Sequence, residues 1–416
     1  MDEKMYPRRW GILAALFFAL LFLQFTFIVP GGAALAVMEH YQINPMQFTM
    51  VMSVPYLSGI LFGVFSGTLA DRIGVKRVIL VGYALALIGV VWRALSGTSF
   101  IMLFLSSFIM GFATAVLNAN SAKVIRRWFP GKTISVAMGV YVAAASLGAA
   151  IALNVGARVA LDVSWWASVV CIAAAVVLWL VLYREHPEGE LKAEESVKEH
   201  LGVVLKNKAV WGISIFAFMF FGLTVVGTSY MVPAMTLLGG SPESAGEAAN
   251  ISTLNTLVVC LSSIFLPALI AKFKRIRLPL VILLVGSAVF YGVSLFIPLG
   301  PLTYVIFILA AIFLGPIMAM TKTLPALLPG VDQKHLGAVG GVQSMFQNIG
   351  MFLVAAYIIA PIATAIDPSG SLLFYQAAFA LFAAGCIICI ILLFTFPNLR
   401  TTIVDAVLDK KKALED

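Results

Sequence analysis

The chain has 416 residues, of which 61% are hydrophobic and only 11% charged, with a formal net charge of +8. A soluble domain carries about 25% charged residues, so this composition excludes a protein facing water on all sides. The excess of bases sits between long apolar runs, where it reports membrane orientation and not a nucleic-acid partner.

Uncharged runs of about 18 or more apolar residues are long enough to cross a bilayer as helices. The intervals 10–38 and 40–70 predict spans 1 and 2. A secretory leader has an apolar core of only about 7–15 residues, so the first interval is read as an uncleaved helix. Between spans 2 and 3 stands "GTLADRIGVKR" at 67–77. The shorter run 78–92 becomes span 3 if Arg93 snorkels to the interface. Intervals 94–122, 133–157 and 163–183 predict spans 4 to 6, and the polar segment 184–208 predicts a linker. Intervals 209–242 and 248–271 predict spans 7 and 8. The interval 278–321 is too long for one helix and is broken by "IPLGPL" at 297–302, which makes it spans 9 and 10. Spans 11 and 12 follow at 335–366 and 368–399.

This divides the chain into an amino-terminal six-helix bundle (1–183), a cytoplasmic linker (184–208), a carboxy-terminal six-helix bundle (209–399) and a cytoplasmic tail (400–416). With both termini cytoplasmic, all 27 Lys and Arg fall on the inner side except Arg93, Arg158 and Lys322. The positive-inside rule therefore predicts this orientation in a plasma (inner) membrane. Lys322 lies within span 10.

An offset of about 200 residues aligns the two halves. The basic loop 72–77 falls on 272–277, and the Gly139/Gly148 pair of span 5 recurs as Gly341/Gly350 in span 11. "FPG" at 129–131 and "LPG" at 328–330 precede these pairs, Lys123 lies opposite Lys322, and Tyr141 opposite Gln343. Such parallel repeats occur in secondary transporters, whose substrate sites lie near the membrane midplane.

"GTLADRIGVKR" resembles the signature loop of the major facilitator superfamily at Gly67, Leu69, Asp71, Arg72, Gly74, Lys76 and Arg77. The resemblance implies an all-α membrane fold of twelve transmembrane helices in two six-helix halves. It also implies transport by alternating access, with no enzymatic activity and no cofactor. It assigns a gating role to Gly67, Asp71, Arg72, Gly74, Lys76 and Arg77. The residues support this physically: Gly67 lets helices approach, Gly74 permits a tight turn through positive φ, and Asp71 is costly at the membrane edge unless paired. A loop that only set topology would need bases, but neither Asp71 nor the glycines. The second-half counterpart, "PALIAKFKRIR" at 267–277, keeps the bases and lacks the acid.

The acids all fall in loops, tails or helix ends, so a proton relay through a mid-membrane carboxylate has no candidate. The drug-exporter branch is similar in fold but usually has an arginine where Ser107 stands and a glycine-proline pair in span 5, where 133–157 has no proline. Proton-coupled efflux of drugs or metabolites is therefore the second reading. Segment 126–152 resembles organic-anion, monocarboxylate and cyanate-type permeases of the superfamily. With Lys322 as the one base inside a span, the expected substrate is a small organic anion, a carboxylate. Gln24, Tyr56, Asn118, Asn120, Tyr141, Asn255, Gln343 and Gln347 are the further substrate-binding candidates, though such groups also serve as interhelical hydrogen bonds. Lys322 has an alternative too, snorkelling to the headgroups. No catalytic or metal site is expected, and "CIIC" at 386–389 reads as small packing residues. The expected partners are the substrate and the lipid bilayer, with no nucleic acid, and the protein is expected to be monomeric.

Overall fold

The computed structural model describes residues 6–129, 133–187, 204–241, 243–270, 272–328 and 336–400. Among these, twelve helices are long and apolar enough to cross a membrane. Span 1 is Arg9–Gly32, followed after Ala33 by a short helix, Ala34–Tyr41. Span 2, Pro45–Ile73, starts on a capping box in which Asn44 Oδ1 accepts from the Gln47 backbone N–H at 2.8 Å. Pro45 then occupies the first helical position, where its missing donor costs nothing. Spans 3 to 6 are Val75–Ala94, Phe100–Trp128, Thr133–Arg158 and Leu161–Leu182.

Span 7, Lys208–Gly239, begins on an Asn207 cap and ends at Gly240, which is left-handed at φ 69°. Span 8 is Ser244–Ile270 and span 9 is Arg277–Val293. The "IPLGPL" break falls where the sequence places it: span 9 tightens into a 3-10 turn at Ser294–Phe296, and span 10 starts at Pro301 and runs to Leu327. Span 11 covers 336–366, interrupted by a π-helical segment at Val354–Ile359. Span 12, Leu372–Leu392, is led in by Asp367, which accepts hydrogen bonds from the backbone N–H groups and hydroxyls of Ser369 and Ser371. The bulk of the 184–208 linker, the turn between spans 10 and 11, and the tail beyond Arg400 lie outside the described residues.

The chain divides into two compact units. The first is Met1–Glu194 with Thr228–Pro233 and Ala245–Thr253; the second is Glu195–Gly227, Ala234–Ser244 and Leu254–Asp416. Lipid is as apolar as a leucine side chain, so helices in a membrane gain by close contact between small residues and not by hiding from solvent. Glycines make those contacts here. In the first unit, a Cβ on Gly148 would run into the Leu21 carbonyl of span 1, and one on Gly111 into Pro55 of span 2. In the second, a Cβ on Gly350 would run into the Phe218 backbone of span 7, and one on Gly315 into the Val259 carbonyl of span 8. Spans 1 and 5 thus correspond to spans 7 and 11, and spans 2 and 4 to spans 8 and 10. Of the repeated glycine pairs, only the second members carry this packing: Gly139 and Gly341 have nothing within 4 Å of an added Cβ.

Outward-facing side chains such as Val170 and Val181 on span 6 or Phe265 on span 8 stay exposed. They suit a surface whose solvent is hydrocarbon.

Candidate functional site

In the second unit the polar candidates separate into engaged and available groups. Pro325, inside span 10, has no N–H to offer the carbonyl four residues back, which is that of Thr321. Gln343 of span 11 supplies the missing donor: its Nε2 reaches Thr321 O at 2.8 Å, and the side chain is buried. The adjacent residue, Lys322, lies five positions before the end of span 10, about 7 Å along the axis. Its side chain is exposed, and Nζ sits 6.0 Å over the ring of Phe221 of span 7, itself buried. An ammonium over an aromatic face is favourable, but the ring is not a counter-ion. Among the described residues no carboxylate pairs with Lys322.

Gln347, one turn beyond Gln343, is half-buried and makes only a 3.8 Å contact to Met351 Sδ on its own helix, so its amide is largely free. Asn255 is different. Its Nδ2 donates to Tyr291 Oη at 3.1 Å and Phe307 O at 2.8 Å, and its Oδ1 accepts from Tyr291. It ties spans 8, 9 and 10 together and has little left for a ligand. The structure therefore joins Lys322 and Gln343 through adjoining residues of span 10, and commits Asn255 to packing.

In the first unit, Asn118 of span 4 is exposed, while Gln24 and Tyr56 are half-buried. Tyr56 stacks edge-on against Phe27 with centroids 5.4 Å apart. Asn120 is buried and donates to Val116 O in its own helix, leaving Oδ1 unpartnered. Tyr141 is buried beside Ser121, its hydroxyl without a well-formed hydrogen bond. Tyr230 of span 7 is taken up by Thr49, whose hydroxyl donates to it at 2.5 Å.

Within the 67–77 loop, Gly74 joins spans 2 and 3 as a single-residue hinge at φ 89°, a conformation that side-chain-bearing residues resist. Arg72 and Arg77 are exposed, and the Lys76 carbonyl accepts from Trp179 Nε1 of span 6 at 3.1 Å. The surroundings of Gly67 and the side chain of Asp71 lie outside the described set. The acid-free counterpart loop uses its bases otherwise. Arg275 donates to Asn398 O, and Arg277 to Leu393 O and Phe396 O with its guanidinium 4.6 Å over Phe394, fastening that loop to the end of span 12.

Two arginines expected outside the membrane have definite partners. Arg158 ends span 5 and, within the first unit, bonds Asn154, Gly246 O and Asn250 Oδ1. Arg93 does not snorkel: span 3 runs through it to Ala94, and its side chain is only 2% exposed. The cause is a second proline. Pro30 strands the Thr26 carbonyl of span 1, and Arg93 Nη1 donates to it at 3.3 Å, while Nη2 reaches Ser107 Oγ at 3.0 Å. A proline four residues past a polar position is the available signal, and reading charge alone passes over it.

Twelve apolar helices, with polar groups buried among them, define a polytopic α-helical integral membrane protein. Residues 14–355 match the model of the Major Facilitator Superfamily, and the chain belongs to that family. The chain is similar to the nitrite extrusion protein of Bacillus subtilis (strain 168), 26% identical over 51% of this chain and 54% of that protein. It is also similar to the hexuronate transporter of Escherichia coli (strain K12), 23% identical over 52% of this chain and 55% of that one. The matched region thus spans about half the length of these curated relatives. The crystal structure of the nucleoside transporter NupG superposes with a TM-score of 0.77 over 94% of this chain and 99% of that one, at 15% identity. That likeness is one of fold.

Proposed function

We propose that the protein moves a small anion, a carboxylate or an oxyanion of similar size, across the membrane by alternating access, with Lys322 supplying the positive charge. The observation that carries this is the lone ammonium of Lys322, exposed inside span 10 over Phe221 and without a carboxylate partner among the described residues. A cation at the centre of a membrane helix costs about 2.5–3.5 kcal/mol on insertion scales, and less nearer the helix end, where Lys322 stands. An anionic ligand offsets that cost when bound. Gln343 braces the helix beside Lys322 through Thr321, and Gln347 on the same face of span 11 offers amide donors to an anion. The relatives named for nitrite and for hexuronate both carry anions in their names, which supports the same class.

Gln24, Tyr56, Asn118, Asn120 and Tyr141 of the first unit are proposed as further polar contacts, with the Tyr141 hydroxyl the least committed donor and the Asn120 amide N–H already given to Val116 O. The termini are proposed to face the cytoplasm, and the 67–77 loop, with Asp71, to act as the gate latch. A thermal-shift screen of purified protein tests the substrate class, because a ligand that binds only the folded state raises its melting temperature. Monocarboxylates, hexuronates and nitrite are expected to stabilise the protein. Stabilisation by cationic drugs or neutral sugars alone would overturn the anion assignment.

A further inference from the structure

Arg93 presents the same electrostatic question as Lys322 in a more enclosed place. Its guanidinium is buried among spans 1, 3, 4 and 6, with the ring of Trp165 5.3 Å from its centre. It donates to one carbonyl, that of Thr26, to the Ser107 hydroxyl and weakly to Met110 Sδ. All of these acceptors are uncharged. Among the described residues no Asp or Glu pairs with it. The carbonyl end of span 3 favours a cation, but partial charges do not neutralise one. A buried charge without a counter-ion is among the most expensive features a fold can hold.

Two of the buried atoms left without a partner on Arg93 and the residues it touches can act only as donors. Arg93 Nε, Thr26 Oγ1 and Trp165 Nε1 are all buried with no hydrogen-bond partner, as is Ser164 Oγ on the residue preceding Trp165. Arg93 Nε and Trp165 Nε1 can only donate, whereas the two hydroxyls can donate or accept. A missing cation would leave acceptors idle; idle donors beside an uncompensated guanidinium describe a missing anion. A water molecule could take the hydrogen bonds but would leave the charge.

We infer that the first unit holds a small monovalent inorganic anion, of the size of chloride or nitrite, at Arg93, with Thr26 and Trp165 as its surroundings. This site is separate from the one proposed at Lys322 and makes the anion a part of the folded bundle. It also accounts for an arginine where proline repair alone would need only an uncharged donor, such as the glutamine that does the same task at Thr321.

The test uses bromide as the probe, titrated into purified full-length protein at constant ionic strength against gluconate. Wild type and Lys322→Gln are expected to show a saturable rise in Tm of a few degrees, and Arg93→Gln to show none. If Tm is flat in the wild type, or if Arg93→Gln keeps the response, the site does not exist. If Lys322→Gln loses the response and Arg93→Gln keeps it, the bromide is binding at the proposed transport site and this inference fails while that one stands. Should Arg93→Gln not fold, wild-type crystals grown in bromide decide the matter. An anomalous peak within hydrogen-bonding distance of the Arg93 guanidinium is expected, and its absence overturns the proposal.

Discussion

Pro30 and Pro325 each strand a carbonyl, and in both cases a side chain from a different span donates to it: Arg93 to Thr26 and Gln343 to Thr321. The repair at Thr321 can be tested in isolation. Gln343→Leu removes the donor and leaves a buried acceptor, which costs about 1–3 kcal/mol. In a Pro325→Ala background the helix can supply its own N–H, so the same substitution should cost much less. Denaturant unfolding of the four proteins checks this; equal losses in both backgrounds would show that Gln343 is not serving the proline-freed carbonyl. Polar residues in apolar runs can be found from the sequence, but their partners cannot. Gln343, Gln347 and Asn255 look alike as letters. Only the fold shows Asn255 consumed by Tyr291 and Phe307 while Gln347 keeps its amide. Arg93 misleads for a related reason: charge near a run's end suggests an interface, and nothing local says that a neighbouring helix presents an unpaired carbonyl.

Close helix contacts turn on single glycines, and the repeat alone does not tell which. Gly350→Ala should lower Tm clearly, because its Cβ would meet the backbone of span 7. Gly341→Ala, with open space around it, should be neutral or stabilising by about 0.5–1 kcal/mol through helix propensity. Matching melting temperatures for the two variants would contradict the packing described here. The gate reading makes a separate prediction for the loop between spans 2 and 3. Asp71→Asn should leave Tm and expression intact while cutting the transport rate severalfold, since it weakens one end state of the cycle. A variant that transports at the wild-type rate in proteoliposomes would reduce the loop to a topological signal. Helix positions are legible in the sequence because hydrocarbon thickness sets a long uncharged run for each span, and the 297–302 break is legible because proline and glycine cluster there. The π segment at Val354–Ile359 and the short Ala34–Tyr41 helix are not, since both vary the backbone inside sequence that stays largely apolar.

For the molecule as a whole, charge is distributed so that the described acids lie in loops or near helix ends, as with Asp162 in span 6 and Glu247 in span 8. Transport should therefore not require a proton gradient: uptake is expected to continue by exchange or uniport after a protonophore is added. Collapse of uptake that no counter-substrate restores would show a proton-coupled cycle instead. The family follows from span count, repeat and loop motif together, whereas the chemistry of the cargo rests on Lys322. The most direct measurement is counterflow of a stabilising anion into proteoliposomes containing wild-type protein or Lys322→Gln. Loss of a charge-assisted hydrogen bond of about 1.5–3 kcal/mol predicts that Lys322→Gln weakens half-saturation about tenfold or more, at unchanged Tm. Equal half-saturation in the two proteins would contradict the account.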